Sequence, residues 1–341
     1  MVEQELQVKD LGEQGLLERL QTFCPAHIIG DDGAVLSLEP RALVVTTDLL
    51  VEGVHFSDRT TSPQDVGWRA VAANLSDLAA MGADPVAITV GLAMPPTTSV
   101  RWLEGLYEGM TECLQGFDTP IVGGDVCRSS GVTVAITAFG QVEPDRVIRR
   151  SQAVVGDVIV ATGVHGAARA GLELLLHPEQ GESLSAKERE SLIRAHQRPQ
   201  PRLDVLPILR DLLAGEGGNL ILNRGIAGMD SSDGLADAIC QICRASGVGA
   251  QVNADQVPAP APLEKWVSAG TALEWALYGG EDFELVLCLP ATVGEPLVKQ
   301  LKNGAAIVGK ITRGTEVWLR ETHPEGLGQR LTLNQGFQHF E

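Results

Sequence analysis

The sequence has no run of eighteen or more apolar residues, no block of lysine and arginine, and only six cysteines among its 341 residues. The first absence excludes a membrane-spanning helix. The opening MVEQELQVKDLGEQG is acidic and lacks an apolar core, so no signal segment is expected. Acidic residues outnumber basic ones 44 to 26, a formal net charge of -18, so the surface repels nucleic acid and acidic membranes. The cysteines, at 24, 113, 127, 240, 243 and 288, are too few and scattered for a disulfide scaffold. A reducing, cytoplasmic compartment is therefore expected. Familiar catalytic signatures are missing too: there is no G-x-x-x-x-G-K-[ST] loop and no G-x-S-x-G elbow. Cys240 and Cys243 have no partner pair at zinc spacing and read as core thiols. Gly163, Gly166 and Gly171 lack the dinucleotide spacing, and ATGVHGAARAG is either an anion cradle or a tight strand-to-helix turn. No repeat of fixed period is evident.

What is present is a globular composition, 44% apolar with 38 glycines, in which strand and helix patterns mix. A helix is expected over about 12–23, with Leu16, Leu17 and Leu20 inward. RALVVTTDLL reads as a strand that runs out at Thr46, Thr47 and Asp48. The clearest helix follows, capped by Ser62 with Pro63 and Asp65 in its first turn, and ended by Gly82 and Pro85. AITVGLAMP, a helix over 99–115, TPIVGGD and GVTVAITAFGQV complete a first mixed domain. RRSQAVVGD is a connector into a second one. There VIVATG is a strand, VHGAARAGLELLL a helix, and HPEQGESLSAKERE a polar, exposed segment. The helix of GMDSSDGLADAICQICRAS is expected from Ser232 or just after, and YGGEDFELVLCLP is a turn feeding a strand. Two short strands follow over 306–320. The fold class is mixed α/β (α+β), with domains 1–147 and 148–341.

Several carboxylates stand where apolar strands or glycine turns end: Asp31 and Asp32, Asp48, Asp125, Asp230 and Asp233, and Glu281 with Asp282. One such aspartate is an ordinary Asx-turn; the recurrence argues for a site. Gathered carboxylates need a compensating charge, and a hard divalent cation such as Mg2+, bound through oxygen, supplies it. Thr46 and Thr47 add oxygens beside Asp48. Asn74 and Asp77 share one helix face within the apolar AVAANLSDLAAMG, so an inward Asp77 needs a partner, and metal fits. Arg149 and Arg150 either reach a nucleotide phosphate or close a salt bridge at the domain boundary. His55 is either a packed histidine or a ligand contact. With no covalent nucleophile in evidence, the residues point to metal-dependent, in-line phosphoryl transfer. A phosphate monoester as acceptor, its second pKa about 6, would need no dedicated base.

At these residues the chain resembles the thiamine-monophosphate kinases, members of the superfamily typified by aminoimidazole ribonucleotide synthetase. The matching stretches are IGDDGAV, TTDLLVEGVHF, NLSDLAAMGADP, GGD, RRSQAVVGD, GMDSSDGLAD, GGEDFEL and GFQHF. The resemblance implies ATP-dependent conversion of thiamine phosphate to thiamine diphosphate with several Mg2+ ions. It implies metal ligands at Asp31, Thr46, Thr47, Asp48, Asp77, Asp125, Asp230 and Asp233, with Asp125 and Asp233 essential to catalysis. It further implies nucleotide contacts at Gly124, Asp125, Arg150 and Ser232, and substrate contacts at His55, Glu281 and Phe337, Phe340 being the less favoured aromatic. Asp32 carries no assigned role. The resemblance also implies a two-domain fold with the active site in the cleft, and a homodimer formed by pairing of the N-terminal sheets. Gly33 replaces the family's usual alanine or cysteine, and Val126 and Cys127 replace threonines, which alters the edge of the nucleotide site beside Asp125. Rivals are another superfamily member, such as a selenophosphate synthetase, for which Cys24 lacks the setting, or a non-catalytic nucleotide-binding module.

Overall fold

The computed structural model describes residues 6–7, 19, 21–23, 41–214, 224–302, 304–320 and 328–335. The chain divides into two compact units, residues 1–78 with 84–142, and residues 79–83 with 143–341. The helix expected over 12–23 falls mostly outside the described residues; Gln21–Phe23 forms a short 3-10 turn.

The first unit contains β1 (Ala42–Val51), α1 (Pro63–Ala80), β2 (Asp84–Met94), α2 (Val100–Gln115), β3 (Ile121–Arg128) and β4 (Thr133–Val142). Its sheet runs β1-β4-β2-β3. β4 is antiparallel to both neighbours, and α2 carries the crossover between the parallel pair β2 and β3. The strict alternation of TVAITAFGQV buries Val134, Ile136, Ala138 and Val142 on the helix-covered face. α1 starts as predicted: the Asp65 amide donates to Ser62 Oγ at 3.3 Å, and that hydroxyl donates to Asp65 Oδ2 at 2.6 Å. Ala70, Val71, Leu75 and Leu78 are wholly buried, so α1 is enclosed nearly all round. With Ile88, Leu103, Leu106, Met110 and Ile136 they form a core in which each large side chain contributes roughly 1.5–3 kcal/mol.

Three sequence boundaries are corrected. β1 does not run out at Thr46, because its ladder with β4 continues from Ala42–Val142 to Val51–Thr133, leaving Thr46, Thr47 and Asp48 in mid-strand. β3 likewise extends through Gly123, Gly124 and Asp125. Pro85 lies inside β2 rather than closing the helix.

The second unit contains β5 (Val158–Ala161), α3 (Ala167–Leu176), α4 (Ala186–Gln197), α5 (Val205–Leu213), β6 (Ala227–Asp230), α6 (Leu235–Ser246) and β7 (Gly249–Asn253). It continues with α7 (Ala269–Tyr278), β8 (Leu285–Leu289), α8 (Ala291–Leu301), β9 (Ala306–Thr312), β10 (Val317–Arg320) and β11 (Gln329–Leu331). The sheet order is β11-β10-β7-β9-β5-β8-β6. β8 reads LVLCL and is buried along its whole length, as an apolar run in a central strand demands. The polar stretch after α3 is exposed as expected, apart from buried Gly181 and Leu184 and half-buried Glu188 and Arg189. Ser185 and Glu188 close a capping box that opens α4, which buries Leu192 and His196. The helix after the DSSDG stretch, expected from Ser232 or just after, begins at Leu235. Gly234 ends the loop with φ 104°, and a Cβ there would lie 2.7 Å from the Leu277 carbonyl oxygen. No described helix is long and apolar enough to cross a membrane.

Candidate active site

In the first unit, α1 places Asn74 and Asp77 one turn apart against β1. Asn74 is fully buried; its Oδ1 accepts the Asp48 backbone N–H at 3.2 Å and its Nδ2 donates to the Ala70 carbonyl at 3.0 Å. Asp77 Oδ2 accepts the Thr46 hydroxyl. Strand alternation therefore turns Thr46 and Asp48 to the helix-covered face, where α1 presents Asp77. Thr47 points to the other face, where its hydroxyl meets that of Thr137 at 2.8 Å. Asp125 and Gly124 are exposed on β3, at the opposite edge of the sheet. Its pairing runs through Gly91 and Ala135 to Leu49, so Asp125 shares the open face with Thr47 and not the face of Asp48. His55 follows β1 in a tight turn. Its Nδ1 accepts the Val51 amide at 3.0 Å, which fixes the neutral ring's proton on Nε2. Buried Arg69 holds the same turn by donating to the His55 carbonyl at 2.9 Å.

In the second unit, two loops distant in the chain are stitched by backbone bonds. The Ser231 amide donates to the Glu284 carbonyl at 2.8 Å, and the Glu281 amide donates to the Ser232 carbonyl at 2.7 Å. Gly280, with φ 65°, permits this approach, since a Cβ would lie 2.9 Å from the Ser232 carbonyl oxygen. Asp230 and Ser231 are buried, Ser232 is half-buried, and Asp233 is exposed. Behind them lies wholly buried His165. Its Nδ1 donates to the Gly163 carbonyl at 3.1 Å, so its Nε2 accepts from the Ser231 hydroxyl at 3.0 Å. Burial pulls this imidazole down to about 4, so it is neutral at pH 7.

The GGED turn is fastened at two further points. Asp282 accepts the Gly166 amide at 2.6 Å and the Ala168 amide at 2.9 Å, closing the N-terminus of α3. The glycine turn that offered an anion cradle already holds the chain's own carboxylate. Burial pushes Asp282 up to about 7, against the pull of those amides. Glu284 accepts from Thr162 Oγ1 at 2.6 Å and from Arg202, whose guanidinium also grips Asp204 at 2.9 and 3.0 Å. Burial raises the Glu284 carboxyl while Arg202 and Thr162 oppose the rise. Glu281 Oε2 lies 3.6 Å from Nδ1 of buried His196. Exposed Arg150 donates to Gln241 Oε1 at 2.6 Å, and Gln241 in turn reaches Asp237 at 2.6 Å, which tethers Arg150 to α6. Sequence reasoning missed His165, Arg202 and Glu284. Their only local signal was a polar letter standing inside a glycine- or proline-rich turn.

Asp31, Asp32, Phe337 and Phe340 lie outside the described residues. Among the described residues, no three or more His, Cys, Asp or Glu side chains are grouped as a metal site. Cys240 and Cys243 are core thiols as predicted, pushed up to about 11 and about 12 chiefly by burial. A pocket of about 30 Å3 among Ile148, Leu206, Leu209, Arg210 and Ile226 is lined by none of the predicted site residues.

Residues 30–142 match the N-terminal domain of the AIR synthase related proteins, and residues 154–320 match the C-terminal domain. The thiamine-monophosphate kinase of Synechococcus elongatus is 50% identical over 336 residues, covering 98% of each chain. The chain belongs to the thiamine-monophosphate kinase family, within the AIR synthase related proteins. Its fold is similar to the crystal structure of thiamine-monophosphate kinase from Stenotrophomonas maltophilia K279a, with TM-score 0.76, 32% identity, and coverage of 89% of this chain and 95% of that one. It is also similar to AaThiL complexed with AMPPCP and TMP, with TM-score 0.69, 29% identity, and coverage of 97% and 100%. The two matched domains contain every candidate site residue of this family member except Arg149, Arg150, Phe337 and Phe340.

Proposed function

We propose that this chain transfers the γ-phosphoryl group of ATP to thiamine phosphate, giving thiamine diphosphate and ADP by direct, Mg2+-dependent, in-line displacement. The observation that carries the reading is the full-length match to a thiamine-monophosphate kinase at 50% identity.

The donor chemistry fits Mg2+. The candidate ligands Asp31, Asp48, Asp77, Asp125, Asp230, Asp233, Thr46 and Thr47 offer hard oxygen alone, with no thiolate or imidazole among them. When bound, such ions neutralise the charge of the two phosphate-bearing reactants. The chain's own work is placement. Asn74 and Thr46 hold Asp48 and Asp77 on the helix-covered face, through the Asp48 amide and the Asp77 carboxylate. Gly124, Asp125, Arg150 and Ser232 serve the nucleotide, and Arg150 is kept in place by Gln241. His55 presents an Nε2–H donor to thiamine phosphate, and Glu281 and Phe337 complete the substrate contacts. Asp125 and Asp233 are the carboxylates on which turnover depends. The acceptor is a phosphate monoester already mostly ionised at pH 7, so no residue is asked to act as general base.

The domain division at 147/148 is proposed on function: most of the metal ligands, Gly124 and Asp125 for the nucleotide and the dimer contacts lie before it, and Arg150, Asp230, Ser232, Asp233 and Glu281 after it complete the phosphate and substrate site. A homodimer through the open sheet face is supported by Leu43, Val45 and Leu49, which are 49%, 53% and 52% exposed side by side on edge strand β1. A cytoplasmic setting accords with the free state of all the described cysteines. The test is label transfer. Radiolabel from the ATP γ position is expected in thiamine diphosphate with ADP as coproduct; free labelled phosphate without labelled product would overturn the assignment.

A further inference from the structure

Glu281 is held in a left-handed backbone conformation, φ 60°, between Gly280 at 65° and a turn that is left-handed again at Phe283, φ 51°. For glutamate and phenylalanine that geometry costs on the order of 1 kcal/mol or more each, and it persists only where the surroundings impose it. One side of the turn is held by the Glu281 amide on the Ser232 carbonyl. The other is held by Asp282, whose two oxygens each accept a first-turn amide of α3. Because those oxygens are engaged by backbone, Asp282 has no part as a ligand itself; its reach is through the turn.

We propose that Asp282 is a positioning residue for thiamine phosphate, acting through Glu281 by clamping the GGED turn onto the N-terminus of α3. The proposal rests on the reading of Glu281 as a substrate contact. An asparagine at 282 would keep the shape but turn an NH2 group toward one of the α3 amides, so the clamp loosens where the side chain's volume does not change.

The experiment is a double-mutant cycle on the full chain, with KM measured for each substrate. Asp282→Asn is expected to raise the KM for thiamine phosphate about tenfold while the KM for ATP stays within about twofold, and Glu281→Gln to raise the former similarly. The double variant should be no worse than Glu281→Gln alone. Additive losses, or an Asp282→Asn variant in which kcat and both KM values worsen together, would overturn the proposal while leaving Glu281 as a contact. If Glu281→Gln leaves the thiamine phosphate KM unchanged, the underlying reading is what has failed. Should Asp282→Asn not fold by circular dichroism, Asp282→Glu carries the same cycle. If neither folds, Asp282 is a determinant of folding and the proposal is overturned.

Discussion

The two units hold their candidate carboxylates by different means. In the first, Thr46, Asp48, Asn74, Asp77 and Asp125 all sit inside regular elements, and their directions follow from the period of a strand or a helix. In the second, Asp233 and Glu281 sit on loops, and their directions follow from hydrogen bonds between segments far apart in the chain. The first arrangement is rigid because its elements are packed. The second is rigid because its loops are tied to one another and to buried groups behind them, among them His165, Glu284 and Arg202.

The difference can be broken experimentally. The largest effect is expected at the acidic groups themselves: Asp125→Asn in a strand and Asp233→Asn in a loop should each lower kcat by at least about a hundredfold without unfolding the chain, as measured by label transfer. Next comes pH, which probes the tied loops. His165 has a folded value near 4, below its unfolded 6.5, so the unfolded state binds more protons and stability is lost as pH falls from 6.5 towards 4. Asp282 has a folded value near 7, above its unfolded 3.8, so the folded state binds more protons and stability is lost as pH rises through the same window. The two oppose each other. Asp282→Asn should expose the His165 slope, a loss of about 3 kcal/mol between pH 7 and pH 4 in urea denaturation, where the parent is much flatter. Gly280→Ala should cost about 1–3 kcal/mol of stability through its positive φ and its approach to Ser232. Gly123→Ala, in the strand and open to space, should stay within about 0.5 kcal/mol in the same denaturation experiment. A last effect separates the two faces of β1. Thr46→Val should raise the Mg2+ concentration for half-maximal activity about tenfold, by removing the Asp77 donor together with a ligand oxygen, and Thr47→Val, which leaves the Asp77 contact intact, should raise it less, about threefold.

Much of the first unit was legible because its signals are local. Ser62 and Asp65 announce the start of α1, and the three-residue spacing of Asn74 and Asp77 sets them on one face. What failed there was the extent of β1 and β3, because a polar threonine or a glycine pair looks like a strand end when the partner strand is not visible. Once β1 is continued through Asp48, the period of two separates Thr46 from Thr47 without further information. In the second unit the helix expected from Ser232 or just after begins three residues on, at Leu235, for a long-range reason: Gly234 must pass close to the Leu277 carbonyl, a contact no local pattern contains. The ties from Ser231 and Ser232 to Glu284 and Glu281 are of the same kind. α4 was different, since its Ser185–Glu188 capping box stood in the sequence and was hidden only by the polarity around it.

α1 is enclosed by protein on nearly every side while also carrying Asn74 and Asp77. Such an element has no slack: it cannot turn about its axis or slide to absorb a new methyl group without taking those two side chains along. Random mutagenesis should therefore find many inactivating substitutions along 66–80 that never touch a reactant, and their signature will be a weakened affinity for Mg2+ before any loss of the folded state.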